Sequence, residues 1–142
     1  MLSISPPLNL DEHWFAPHVA YTMAKYGMSL MVLGAAGELR GKVGVNALWP
    51  RTAIDTAAMA EFKPASQGGV LRSPDIMADA AHLILTSEAA KVTGNFFVDD
   101  ELLAMHGITD LSAYAPEGTS DEDLLPDFFV PSLRELRASE DA

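Results

Sequence analysis

Val43-Gly44-Val45-Asn46-Ala47-Leu48-Trp49 is a short apolar run rich in β-favouring residues and closed by Pro50. Such a run fits a strand buried on both faces, as parallel sheets covered by helices require. Upstream, from about Pro17 to Arg40, Val19, Met23, Tyr26, Leu30, Leu33 and Ala36 recur at three- and four-residue steps, the period of a long amphipathic helix. Gly41 is placed to stop it. Farther upstream, Leu2-Ser3-Ile4-Ser5 reads as the tail of a strand ended by Pro6-Pro7.

Downstream of Pro50, Ala53 to Phe62 has the composition of a short helix, and Lys63 to Leu71, with Pro64, Gly68 and Gly69, that of a loop. Ser73-Pro74-Asp75 offers an N-cap, a proline at the first helical position and an acid in the first turn. The helix it opens runs to about Thr86 and turns Ile76, Ala80, Leu83 and Ile84 inward. Thr93-Gly94 then leads into the strand Asn95-Phe96-Phe97-Val98-Asp99, and one helical turn is expected over Glu101 to His106. Strands separated by helices long enough for crossovers predict an α/β fold with a parallel, doubly wound sheet. From about Pro116 the chain turns acidic, and residues 116–142 are expected to form an extended tail. Phe128-Phe129-Val130 interrupts it with an apolar cluster suited to docking on the parent domain, residues 1–115, or on a sister subunit.

The 142 residues include 49% hydrophobic side chains, enough for one domain with a core. A formal charge of -11 disfavours nucleic acid and anionic membrane as partners through long-range repulsion. There is no cysteine, which excludes thiolate nucleophiles and cysteine-based metal sites. With neither a basic, apolar leader nor a bilayer-length apolar run, the chain is expected to be cytoplasmic. His13, His18, His82 and His106 have no metal-ligand spacing, so surface or capping roles are expected and no metal is. Asp99-Asp100-Glu101 reads as capping or solvated charge, and Met23, Met28, Met31, Met59 and Met77 as filling for core or a subunit interface.

Tyr21 and Lys25 stand four apart on the long helix and therefore share a face. An ammonium beside a phenol lowers its pKa from an ordinary value near ~10, toward a range useful for proton exchange with an alcohol or carbonyl oxygen. Alone, the pair is more often a snorkelling lysine beside a packed tyrosine. Its surroundings add meaning: Ile4-Ser5 closes a strand ahead of it, and Val45-Asn46-Ala47, Pro50, Thr52 and Thr56 follow.

This ordered set resembles the short-chain dehydrogenase/reductase family over roughly Leu2 to Tyr114. In that family a strand ends in a catalytic serine, the next helix carries Tyr-x-x-x-Lys, and the following strand reads Val-Asn-x-x-x-Pro-Gly before a threonine-bearing loop. Ile4-Ser5-Pro6-Pro7-Leu8-Asn9-Leu10 and Asn46-Ala47-Leu48-Trp49-Pro50 are similar to its hydroxysteroid-dehydrogenase-like branch. The resemblance implies NAD(P)-linked oxidoreduction of a small carbonyl/alcohol substrate, with Tyr21 as general acid/base. Lys25 would depress the Tyr21 pKa and bind the nicotinamide ribose, and Ser5 would hold the substrate oxygen. The loop carrying Pro50, Thr52, Ile54 and Thr56 would meet the nicotinamide of NAD or NADP. It further implies a homo-oligomer joined through the tyrosine-bearing helix.

The sequence departs from the pattern in three places. The serine slot falls on Pro6, making Ser5 the nearest hydroxyl. Arg51 replaces the customary glycine and reads as a surface arginine, with a cofactor phosphate or a carboxylate as its other prospective partner. No glycine-rich turn follows a first strand, since Gly34-Ala35-Ala36-Gly37 lies within a helix. The resemblance is therefore to the carboxy-terminal half of a Rossmann-like sheet, the glycine-rich amino-terminal half being absent. A complementing amino-terminal half would be one partner. The alternative is a non-catalytic remnant serving as an oligomerisation or interaction module.

Overall fold

The computed structural model describes residues 1–62 and 68–140, so the loop expected over 63–71 falls partly outside the described residues. Three parallel strands, β1 (Leu2–Ile4), β2 (Asn46–Trp49) and β3 (Phe96–Val98), lie in the order β1-β2-β3. Leu2 is opposite Asn46, and Ala47 opposite Phe96. The helices are α1 (Val19–Glu38), α2 (Ala57–Phe62), α3 (Asp75–Thr86), α4 (Asp99–Met105) and α5 (Leu133–Glu140).

Every residue of β2 is buried, the outcome expected of the central strand in a sheet covered on both faces. Its side chains alternate. Ala47 packs with Val32, Ala36 and Val45 on the α1 side, and Leu48 with Ile76, Ala80, Ile84, Leu102 and Leu103 on the α3 side. Trp49 returns to the α1 side against Tyr26. The sheet is thus α/β and doubly wound.

The strand entry is tightly fitted. Asn46 donates through Nδ2 to the Val92 carbonyl at 2.9 Å, and its Oδ1 accepts the Asn95 amide at 3.1 Å. A Cβ on Gly44 would lie 2.9 Å from the same Val92 oxygen, so only glycine allows this approach. The turn into β3 uses Gly94 at φ 78°, whose amide donates to Val45 at 2.7 Å.

α3 buries Ile76, Ala80 and Ile84, with Leu83 half-buried, in line with its apolar period. Its first turn is held by the Asp75 amide donating to the Ser73 hydroxyl at 3.2 Å, and the helix is counted from Asp75. α1 occupies the expected span, but of the residues read from apolar spacing only Tyr26 and Ala36 face inward. Thr22, Tyr26, Ser29, Val32 and Ala36 are buried, whereas Val19, Met23, Leu30 and Leu33 are exposed, Met23 by 68%. The cause is hydrogen bonding to the segment between β1 and α1. Thr22 donates to the Trp14 carbonyl at 2.8 Å, Ser29 to the Pro6 carbonyl at 2.6 Å, and the Tyr26 hydroxyl to the Asn9 carbonyl. Small polar side chains can bury where a carbonyl awaits each of them. Met28 and Met31 also lie on the outer side, while Met59 and Met77 are half-buried.

α2 starts at Ala57 rather than Ala53, because residues 52–54 form bridges instead: Thr52 with Pro126 and Ile54 with Arg72. In the acidic segment, Leu124, Phe129 and Val130 are buried. Residues 133–140 are helical where an extended chain was expected. The missed signal is a capping box, Ser132-Leu133-Arg134-Glu135: the Ser132 amide donates to Glu135 Oε2 at 2.7 Å and the Glu135 amide to Ser132 Oγ at 3.2 Å. Among the described residues, no helix is long and apolar enough to cross a membrane.

Candidate active site

In a parallel sheet with helical crossovers, ligands collect beyond the carboxyl ends of the strands. Ser5 follows β1, Pro50 to Thr56 follow β2, and Asp99 follows β3, so the sequence candidates gather along that one edge. Tyr21 and Lys25 stand in the first two turns of α1, which begins there. Lys25 Nζ donates to the Ile4 carbonyl at 3.4 Å and lies 5.0 Å from the Trp49 ring centroid, binding helix, β1 and β2 together. It stands 5.9 Å from the centroid of the Tyr21 ring.

Tyr21 is 40% exposed. The expected depression of its pKa is not what its surroundings produce. Burial raises it, and the negative charge of Asp127 raises it further. The Asp127 carboxyl, half-buried, is itself pushed up to about 6 by burial, against the opposing effects of the Phe128 amide and Lys25. Asp127 was not singled out in the sequence because it lies within an acidic run, more than a hundred residues after Tyr21 and Lys25.

Ser5 is fully buried, and its hydroxyl has no hydrogen-bond partner among the described residues. Its neighbours on either side are tied to α1, Ile4 through Lys25 and Pro6 through Ser29. Pro50 is buried and Ile54 half-buried against the α3-side core. The two threonines separate clearly. Thr52 is buried beneath the bridge to Pro126 with an unpartnered Oγ1, whereas Thr56 is exposed and accepts the Met59 amide at 3.4 Å at the start of α2.

Arg51 is not on the surface; only 1% of it is exposed. Its guanidinium pairs with Asp100 and Glu101 and donates to the Pro131 carbonyl at 2.8 Å, while its amide donates to Asp99 Oδ1 at 2.9 Å. Of the partners anticipated for it, the carboxylate is the one present. Asp99, the buried first residue of α4, is neither solvated nor the helix's N-cap, which is Val98; it accepts also from the Asp100 amide at 2.8 Å, and burial pushes its carboxyl up to about 6. His18 hydrogen-bonds Thr22 at 3.1 Å, and His106 meets the Leu102 carbonyl at the end of α4. Among the described residues, no three acids or histidines cluster as metal ligands do.

The feature that sequence reasoning missed most completely is an aromatic group around Tyr21. Phe129 is 1% exposed and stacks on the Tyr21 ring, centroids 6.0 Å apart and planes at 14°. Phe128 meets Tyr21 at 6.1 Å and His18 at 4.5 Å. Trp14, Tyr26 and Trp49 complete the surroundings of Phe129 at 5.9, 5.2 and 5.8 Å. The apolar cluster itself was visible in the sequence; its target was not.

The residues present fit one end of a dinucleotide. Lys25 retains donor capacity beyond its single long carbonyl contact, Thr56 is exposed on the loop after β2, and the buried Ser5 hydroxyl has no partner among the described residues. The parts that cradle a pyrophosphate, a strand and glycine-rich turn at a helix start, are not among these elements.

No family model matches the chain. It is 51% identical over 139 residues to hydroxysteroid dehydrogenase-like protein 2 of Xenopus laevis, covering 98% of this chain and 33% of that protein. Among solved structures, it is similar to a putative dehydrogenase from Xanthomonas campestris, with TM-score 0.82 and 48% identity, covering 92% of this chain and 47% of that one. It is also similar to a short chain dehydrogenase from Mycobacterium thermoresistibile, with TM-score 0.79 and 39% identity, covering 92% and 46% respectively. The chain therefore spans about a third of the length of the curated relatives it matches and about half of these solved chains. Motif order, doubly wound sheet and these likenesses agree: the chain belongs to the short-chain dehydrogenase/reductase family.

Proposed function

We propose that this chain supplies the acid/base half of a nicotinamide-dependent oxidoreductase that interconverts a carbonyl and an alcohol. The observation that carries the reading is the pairing of Tyr21 and Lys25 at the carboxyl edge of the sheet, with Lys25 fixed between the Ile4 carbonyl and the Trp49 ring. NAD or NADP, when bound, supplies or accepts the hydride. Tyr21 gives its phenolic proton to the carbonyl oxygen as the alcohol forms and recovers it in the reverse direction. A phenol is protonated near neutrality at its ordinary pKa, the form needed for reduction, and burial and Asp127 act in the same direction. Lys25 holds the nicotinamide ribose, and Ser5 orients the substrate oxygen. Of the loop residues Pro50, Thr52, Ile54 and Thr56, Thr56 is the exposed threonine and contacts the nicotinamide end. A cysteine-free composition suits a reducing, cytoplasmic setting.

The test uses the active protein, this chain together with its complementing glycine-rich half. Tyr21→Phe lowers turnover by about a thousandfold while cofactor binding stays within a few-fold. Full activity in that variant sinks the acid/base assignment. A second reading, an oligomerisation module, is favoured by the exposed Val19, Met23, Leu30 and Leu33 along α1. Binding of NADH or NADPH restored by an added amino-terminal half separates the enzyme from that module.

A further inference from the structure

Phe129 has φ 73°, a left-handed backbone that bulky side chains rarely adopt. In an extended chain, neighbouring side chains point to opposite sides. The left-handed residue breaks that alternation, and both Phe128 and Phe129 come to lie about the Tyr21 ring, at 6.1 and 6.0 Å. Such a conformation persists only where its surroundings hold it. Here Trp49 Nε1 donates to the Phe128 carbonyl at 2.8 Å, Arg51 to the Pro131 carbonyl at 2.8 Å, and the Asp127 amide to the Arg51 carbonyl at 3.0 Å. Three anchors, one at the end of β2 and two on the loop after it, therefore fix a five-residue strap beside the candidate acid/base. The two rings serve different ends. Phe129 is buried and supports Tyr21 from beneath, but Phe128 is 42% exposed, next to an equally accessible Tyr21 and against His18.

Resting on the oxidoreductase reading, we infer that Phe128 is a specificity-determining residue, its ring with His18 forming an apolar wall for the group attached to the reacting carbon. The wall takes an alkyl chain or a ring lying flat against Phe128. Exposed aromatic surface of this kind gains by being covered with apolar matter.

The experiment measures kcat/KM for a long and a short 2-alkanone, 2-decanone and acetone, in the complete active protein. Phe128→Ala lowers the long-to-short ratio of kcat/KM by about tenfold, the scale of one lost apolar contact. Phe128→Leu recovers most of it. The strap stays anchored in both variants, since Trp49 holds the backbone carbonyl of Phe128. A ratio within about twofold of the original, or a change traced to altered subunit association, overturns the assignment. Tyr21→Phe separates the two readings, since it stops turnover of both ketones only where the oxidoreductase reading holds. If neither ketone turns over, 2-decanone binding is read by NMR from the Phe128 ring. Perturbation of that ring supports the wall, and an unperturbed ring overturns it.

Discussion

The two helices that cover β2 solve the same packing problem in opposite ways. α3 buries its apolar residues, Ile76, Ala80 and Ile84, against Leu48. α1 buries Thr22 and Ser29 along with Tyr26, Val32 and Ala36, and leaves Met23, Leu30 and Leu33 outside. The difference lies in what each helix faces. α3 is held mainly by apolar burial, with the Tyr114 hydroxyl donating to Asp79 at 2.6 Å. α1 meets the carbonyls of the segment joining it to β1, and each inward polar group holds one of them. Apolar periodicity thus reveals a helix on either face, but it identifies the buried side only where the neighbour is apolar too.

That contrast is open to direct attack. On the α3 side, Ile76→Ala removes a fully buried side chain and should cost about 3 kcal/mol, read from urea unfolding. A loss below ~1 kcal/mol would mean that this face is not the apolar core described. On the α1 side, Ser29→Ala strands the Pro6 carbonyl and should cost about 1 kcal/mol, whereas its apolar neighbour Leu30→Ala should stay within ~0.5 kcal/mol. The reverse order would restore Leu30 to the core.

A pH effect concerns the strap on α1. The Asp127 carboxyl, raised in the folded chain from 3.8 to about 6, holds its proton more tightly folded than unfolded. Stability should therefore fall as pH rises from about 4 to about 6. Asp99 titrates in the same direction and window, so Asp127→Asn should flatten this slope in thermal unfolding without erasing it. An unchanged slope would show that Asp127 does not feel the burial assigned to it.

Strands and long helices were legible because their signals are local: an apolar run ended by Pro50, the Ser73-Pro74-Asp75 start, a three-to-four-residue period. The Tyr21-Lys25 spacing was equally local. Arg51 was misjudged because nothing near it in sequence foretells burial; its carboxylate partners are 49 and 50 residues on and its carbonyl partner 80. Phe129 was recognisable as apolar, but neither its left-handed backbone nor its stacking on Tyr21 follows from composition. α5 was missed for a different reason. Its capping box was present in the sequence and was outweighed by the surrounding acids.

The distant partners of Arg51 also bear on the order in which the molecule assembles. Contacts spanning that much chain close long loops at an entropic cost, as does the β2–β3 pairing across 49 residues. The pairing of β2 with β3 and the arrival of α4 come together, since α4 starts at the residue after β3, but Arg51 has no partner on its outer nitrogen until Pro131 is in place. The loop proposed to meet the nicotinamide is thus finished only when Pro131 is in place, and a nascent chain released before that residue would carry the loop with its cation only partly paired.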